Sequence, residues 1–300
     1  MRRSVRSPAV LLMVLLASCG GAVPSADGSA DASTEAEPSV AEPSEDASLS
    51  ASSTSASSET AMEAMPLDSL GGESPLGFLE YLPPTYAADG EPSPLLVFLH
   101  GAGEAGDGSE DSLELVHDLG IPQTIAAGDW PRDRPFVVLA PQYGTAEANS
   151  DCAIADDLSG FLGFALSAYN VDPARVYLTG ISCGAIGIWD YLAKNGGEAV
   201  AATVTISGHG EWAFEEAGCE LAQMPPMWAF HGAEDDTVPV VHIEGPIDRI
   251  RACEGTDAAG LELTIYPDAD HISAIAQTYD GSAGHDIYAW MLEHTNDPAE

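Results

Sequence analysis

Positive charge is what this 300-residue chain has least of: nine Lys and Arg stand against 48 Asp and Glu, a formal net charge of −39 at pH 7. Three of the nine fall within the first six residues, and none occurs between Arg6 and Arg132. Such a chain repels nucleic acid and anionic lipid surfaces, and polyanionic substrates are disfavoured on the same ground. Aromatic side chains are absent before Phe78. Metal-binding spacings of the C-x-x-C and H-E-x-x-H kinds are also missing, so we expect neither a metal nor another cofactor. The apolar run at residues 9–17 falls short of the ~20 residues that span a bilayer.

That run follows three arginines and ends at Leu16-Ala17-Ser18-Cys19. It reads as the h-region of a secretory signal. The tetrapeptide resembles the bacterial lipobox, whose cysteine is acylated and becomes the first residue after cleavage. The resemblance implies a signal peptide over 1–18, a lipidated Cys19, and an exported lipoprotein anchored to a membrane on its extracytoplasmic side. An ordinary signal peptide cut nearby is the alternative. Residues 19–74 are built mainly of Ser, Ala, Glu, Asp, Pro, Thr and Gly. They cannot bury enough apolar surface to offset their ordering entropy, so we expect a disordered acidic linker with a root-mean-square reach of roughly 40 Å. Residues 75–300 suffice for one domain with a sizeable core.

In that domain short apolar runs recur, each ending at glycine, proline or a polar turn: "PLLVFLHG" (94–101), "PFVVLAPQ" (135–142), "RVYLTG" (175–180), "AATVTISG" (201–208), "PMWAFHG" (226–232) and "LELTIYP" (261–267). They are mostly continuous rather than alternating, which suits strands buried on both faces of a parallel sheet. Helix-like stretches lie between them, among them "DDLSGFLGFALSAYN", "CGAIGIWDYLAKN" and "DIYAWMLEH", the last with Ile287, Trp290 and Met291 on one face. This alternation predicts an α/β fold with a doubly wound, mostly parallel sheet and helices on both faces. Four cysteines follow Cys19, and an even number in an exported domain permits two disulfides in three possible pairings. We expect Cys152–Cys183 with Cys219–Cys253; the alternative leaves Cys183 a small buried thiol.

Chemistry centres on Gly180-Ile181-Ser182-Cys183-Gly184. Glycine is one residue in ten here, so the pentapeptide alone decides nothing. Its flanks do: a strand precedes Ser182 and a helix follows, so the serine stands at a sharp turn with the helix N-terminus aimed at it. Gly180 and Gly184 permit the turn and the close strand–helix packing. A serine nucleophile needs a base, and the base needs an orienting acid. Both are available after later strands: an acid among Glu234, Asp235 and Asp236, then His271, with His285 its rival. His285 immediately precedes a helix and can serve as part of its cap. His117, His242 and His294 carry no motif. Upstream, His100-Gly101-Ala102-Gly103 follows a strand and offers backbone N–H groups to a developing oxyanion.

This order of parts is that of the α/β-hydrolases. Residues 76–294 resemble the secreted esterase and "predicted peptidase" branch of that superfamily, which is similar to dienelactone hydrolases, polyhydroxybutyrate depolymerases and feruloyl esterases. "HGAEDDTVPV" resembles the H-G-x-x-D-x-x-V-P stretch around the acid in such enzymes, a register that selects Asp235 over Asp236 and Glu234. The resemblance implies Ala102 and Cys183 as oxyanion donors. Cys183 stands where the branch usually has Met, and Ala185 where it commonly has a second glycine. No insertion implies a large lid. The expected function is hydrolysis of a carboxylic ester by Ser182, His271 and Asp235, in a monomer acting on a small ester, a feruloylated or acetylated glycan, or a polyester. A peptidase of the same fold and a silent glycan- or polymer-binding surface lipoprotein are the alternatives.

Overall fold

The computed structural model of the chain describes residues 61–144, 152–254 and 260–296. The expected signal, Cys19 and the linker up to residue 60 lie outside them. Eight strands form one sheet: β1 (Glu63–Met65), β2 (Phe78–Tyr81), β3 (Ser93–Leu99), β4 (Val137–Pro141), β5 (Val171–Ile181), β6 (Ala202–Ile206), β7 (Met227–Gly232) and β8 (Leu261–Tyr266). Their spatial order is β1-β2-β4-β3-β5-β6-β7-β8. β2 pairs antiparallel with β1 and β4, and every other pairing is parallel.

The continuous apolar runs have the expected cause. In β3, Leu95, Val97 and Leu99 enter one core while Leu96 and Phe98 enter the other. β4 repeats this with Val137 and Leu139 against Val138 and Ala140. The first core is closed by α3 (Ala155–Ala168), α4 (Cys183–Asn195), α5 (Glu211–Ala217) and α6 (Val241–Arg251), through residues such as Phe161, Trp189, Ala213 and Ile247. The second is closed by α2 (Gly120–Ala126), α7 (His271–Tyr279) and α8 (Ile287–Leu292), through Ile121, Ile275 and Met291. A further short helix, α1 (Glu110–Leu113), precedes α2.

One expectation is corrected. Residues 61–74, assigned to the linker from composition, carry β1 and a 3-10 turn at Leu67–Leu70, with Met62 buried. A three-residue edge strand is too short to leave a periodic signature, so the ordered domain begins before residue 75. β2 also carries no strand signature, because "FLEY" shows no more than one alternation.

The strand order places a topological switch point where function is expected. β4 lies on one side of β3 and β5 on the other. The segments leaving the carboxyl ends of β3 and β5 therefore diverge, and doubly wound sheets bind ligands at such a switch point.

Candidate active site

Ser182 occupies the turn between β5 and α4 at φ 48°, ψ −115°, a conformation that a residue with a Cβ rarely adopts. Holding it there costs roughly 1–3 kcal/mol, which the surrounding structure must supply. Two glycines make this feasible by close approach. A Cβ on Gly184 would lie 2.2 Å from the Leu99 carbonyl oxygen, and one on Gly180 would lie 2.7 Å from the Gly184 carbonyl carbon. The backbone of α4 thus rests directly on β3 and β5. Ser182 N–H donates to Ile206 O at 2.9 Å, which fixes the turn to β6. Cys183 opens α4, so its amide is among the first-turn N–H groups that a helix leaves unused. Ala185 meets Gly208, where a Cβ would fall 2.5 Å from the Ala185 methyl; glycine at 208 accommodates the side chain that 185 carries.

Gly101 stands beside the serine, where a Cβ on it would be 3.7 Å from Ser182 Cβ, and Ala102 follows it in the chain. Ala102 begins a 3-10 turn, Ala102–Glu104, and is exposed. The carbonyl before it is held by His100. Tyr143 N–H donates to His100 Nε2 at 3.2 Å, so Nε2 is the acceptor nitrogen and the proton is on Nδ1. Nδ1–H then donates to Gly101 O at 2.6 Å. In a trans peptide the N–H points opposite the C=O, so this bond directs Ala102 N–H away from His100. Burial lowers the His100 pKa to about 4, keeping the ring neutral for this role. Tyr143 stacks on the imidazole at 4.0 Å, and its hydroxyl donates to His100 O. Behind the turn, Gln142 donates to Glu104 O at 2.9 Å and Ser112 O at 2.7 Å and accepts from Gly108 N–H at 3.0 Å. The Glu104 carboxyl is buried with Oε2 unpartnered, and burial raises its pKa.

Asp235 and His271 are brought together from the loops after β7 and β8: His271 Nδ1 donates to Asp235 Oδ2 at 2.7 Å. A carboxylate only accepts, so the neutral imidazole carries its proton on Nδ1 and presents Nε2 as a base. Asp235 Oδ1 accepts from the amides of Thr237 (2.9 Å) and Val238 (2.8 Å). Its side chain is fully buried while that of His271 is 13% exposed. Glu234 and Asp236 are exposed. His231, which opens the "HGAEDD" stretch, holds Asp235 from the other side. Its Nε2 lies 2.7 Å from Val238 O and 3.2 Å from Asp235 Oδ2, so Nε2–H is shared between two acceptors. Burial lowers the His231 pKa, so the ring supports the carboxylate as a neutral donor.

Ser207, at φ 53°, links the halves: its residue follows Ile206, and its hydroxyl donates to His271 O at 3.1 Å. No motif marked Ser207 or Tyr143 in the sequence; His231 was visible only as part of the stretch around the acid. Gly103 is in open space and has no close-packing requirement. His285 does not cap α8, contrary to expectation: the Asp286 carboxylate accepts from Ala289 N–H there, while His285 packs against Trp228, Phe230 and Tyr266. His242 pairs with Glu211, and His294 Nδ1 donates to Trp290 O. Both expected disulfides are present, Cys152–Cys183 and Cys219–Cys253. Among the described residues no group of three or more His, Cys, Asp or Glu is arranged to hold a metal ion.

No family model matches the chain. A curated relative, the bifunctional acetylxylan esterase/xylanase XynS20E of Neocallimastix patriciarum, is 27% identical over 206 residues. The match covers 67% of this chain and 28% of that protein, so the chain spans little more than a quarter of its relative's length. Among solved structures, a thermostable esterase superposes with a TM-score of 0.55 at 22% identity, over 78% of this chain and 63% of that one. A protein described as a dienelactone hydrolase from Klebsiella pneumoniae subsp. pneumoniae MGH 78578 gives 0.53 at 19%, over 77% and 97%. At these identities the likeness speaks for the fold, which is that of the α/β-hydrolases.

Proposed function

We propose that this protein is a serine hydrolase that cleaves carboxylic esters through an acyl-enzyme intermediate, with Ser182 as nucleophile, His271 as base and Asp235 as orienting acid. The observation that carries the reading is the 2.7 Å His271–Asp235 bond, formed at the same end of the sheet as a serine held at positive φ. Asp235 holds the tautomer in which His271 Nε2 is free to take the Ser182 proton. The serine oxygen attacks the ester carbonyl, and the negative charge on the tetrahedral oxygen is met by the N–H groups of Ala102 and Cys183. Collapse expels the alcohol, which takes its proton from His271. Water then repeats the sequence and releases the acid.

His100 acts through Gly101 O to orient one oxyanion donor, and His231 acts through Asp235 to orient the base. Every named group belongs to one chain, so a monomer is sufficient. The resemblance of residues 16–19 to a lipobox supports an enzyme tethered through Cys19 outside the cytoplasm. The distant esterase relative, with the esterase and dienelactone-hydrolase likenesses in fold, supports ester cleavage as the reaction class. In the test, Ser182→Ala lowers kcat/KM for p-nitrophenyl acetate by at least about 10⁴-fold with an unchanged circular dichroism spectrum. Undiminished turnover by that variant removes the assignment.

A further inference from the structure

Five large apolar side chains are exposed among the described residues: Leu82, Leu115, Trp212, Val241 and Ile272. Three of them, Trp212, Val241 and Ile272, lie in the first turns of α5, α6 and α7, the helices that follow β6, β7 and β8. They therefore stand at the end of the sheet that carries Asp235 and His271. Trp212 is 50% exposed, whereas none of the other four tryptophans is an exposed residue.

The surroundings of Trp212 are polar and fixed. His209 meets its ring at right angles, with centroids 4.5 Å apart. His242 lies 6.3 Å beyond His209 and pairs through Nδ1 with Glu211 Oε2 at 2.8 Å. Both members of that pair are well exposed, at 40% and 38% of their side chains. His209 Nδ1 is buried without a partner. The loop bearing these groups has little freedom: a Cβ on Gly208 would lie 2.5 Å from Ala185 Cβ, and one on Gly210 would lie 3.0 Å from the Trp189 ring. It begins at Ser207, whose hydroxyl is bonded to His271 O, so the platform adjoins the catalytic groups.

An open indole rimmed by a carboxylate and two imidazoles matches a ligand with an apolar face and a rim of hydroxyls. A sugar ring has that form: its axial C–H groups rest on the aromatic ring while its hydroxyls donate to the carboxylate and exchange hydrogen bonds with imidazole nitrogens. The acidic composition disfavours polyanionic glycans. A wholly apolar polyester would take water from the exposed rim and offer it no hydrogen bond in return. We propose that Trp212, with His209, Glu211 and His242, forms a binding platform for a neutral glycan, so that the alcohol portion of the ester substrate is a sugar of that chain. The assignment of the alcohol rests on the serine-hydrolase reading; the platform itself does not.

Two measurements test it. In the Ser182→Ala chain, titration with unacylated xylo- and cello-oligosaccharides changes tryptophan emission saturably, and Trp212→Ala in that background abolishes the change. In the active chain, Trp212→Ala lowers the ratio of kcat/KM for acetylated xylo-oligosaccharide to that for p-nitrophenyl acetate by about tenfold, and Trp212→Phe restores most of the ratio. A structural defect would depress both substrates together and leave the ratio in place. Absence of saturable binding, or an unmoved ratio, overturns the platform. Failure of the serine-hydrolase reading shows separately, as ester turnover surviving Ser182→Ala while the fluorescence titration still reports on the platform.

Discussion

The two halves of the candidate site are built on different principles. On the β3–β5 side, close backbone approach fixes the nucleophile turn: Gly184 lies against Leu99 and His100, Gly180 against Gly184, and the Cys152–Cys183 disulfide fastens the first residue of α4. On the β7–β8 side, one side chain is the hub: the amides of Thr237 and Val238 and the imidazole of His231 surround the Asp235 carboxylate, which in turn holds His271. The first half needs geometry that tolerates no extra atom, because an oxyanion is stabilised only by donors already in place. The second half must hold a proton on one nitrogen and leave the other free, which a buried, fully bonded carboxylate achieves. A change on the first side is therefore expected to alter stability and turnover together. A change on the second can alter turnover alone.

The largest expected effect tests the side-chain half. Asp235→Asn lowers kcat/KM by about 10³- to 10⁴-fold, because the amide no longer enforces the Nδ1–H tautomer. Asp236→Asn, at an exposed neighbour, changes it by no more than about twofold. Ester kinetics of the two variants check the contrast, and similar losses would erase it. Next comes the backbone half. Replacing Cys152 and Cys183 together with Ala lowers unfolding free energy by about 2–4 kcal/mol and lowers turnover as well. Replacing Cys219 and Cys253 costs a comparable amount of stability but leaves turnover within about twofold, since that bridge joins the segment just after α6 to the 3-10 turn at Gly218–Gln223 rather than reaching the nucleophile turn. Denaturant unfolding with parallel kinetics separates the two bridges.

The smallest effect is in pH. His100 is fully buried with a pKa lowered to about 4, against 6.5 for the free side chain. Between these values the unfolded chain binds a proton that the folded chain refuses. The contribution to stability is complete above about pH 6.5 and is lost as pH falls towards 4, with a slope of at most about 1.4 kcal/mol per pH unit. His209 and His231, also lowered by burial, act in the same direction. Proton uptake on unfolding, measured by calorimetry across this window, is expected to fall by about one in His100→Gln. An unchanged uptake would contradict the neutral, buried His100 on which the orientation of Ala102 depends.

The same contrast explains what could be read in the sequence. Close backbone approach demands glycine, so the nucleophile turn and the loop after β3 were visible as Gly180, Gly184 and Gly101 at fixed spacing. Strands buried on both faces wrote themselves as the continuous runs of β3, β4 and β6, while the edge strand β8 is buried only at its two ends. The support of the second half was not marked, because a serine such as Ser207 or a histidine such as His231 acquires its role from partners distant in sequence: His271 is 64 residues beyond Ser207. Asp235 could be chosen from three adjacent acids only through a family resemblance, yet burial separates it at once from Glu234 and Asp236. β1 was lost to composition, since "EAM" within an acidic, alanine-rich stretch carries no period.

The most direct test of the central claim is covalent. A fluorophosphonate should react stoichiometrically with the native chain, and mass spectrometry should find the adduct on the peptide containing Ser182. Prior reaction should also abolish ester turnover. An unlabelled chain, or an adduct on any other serine, would contradict the account.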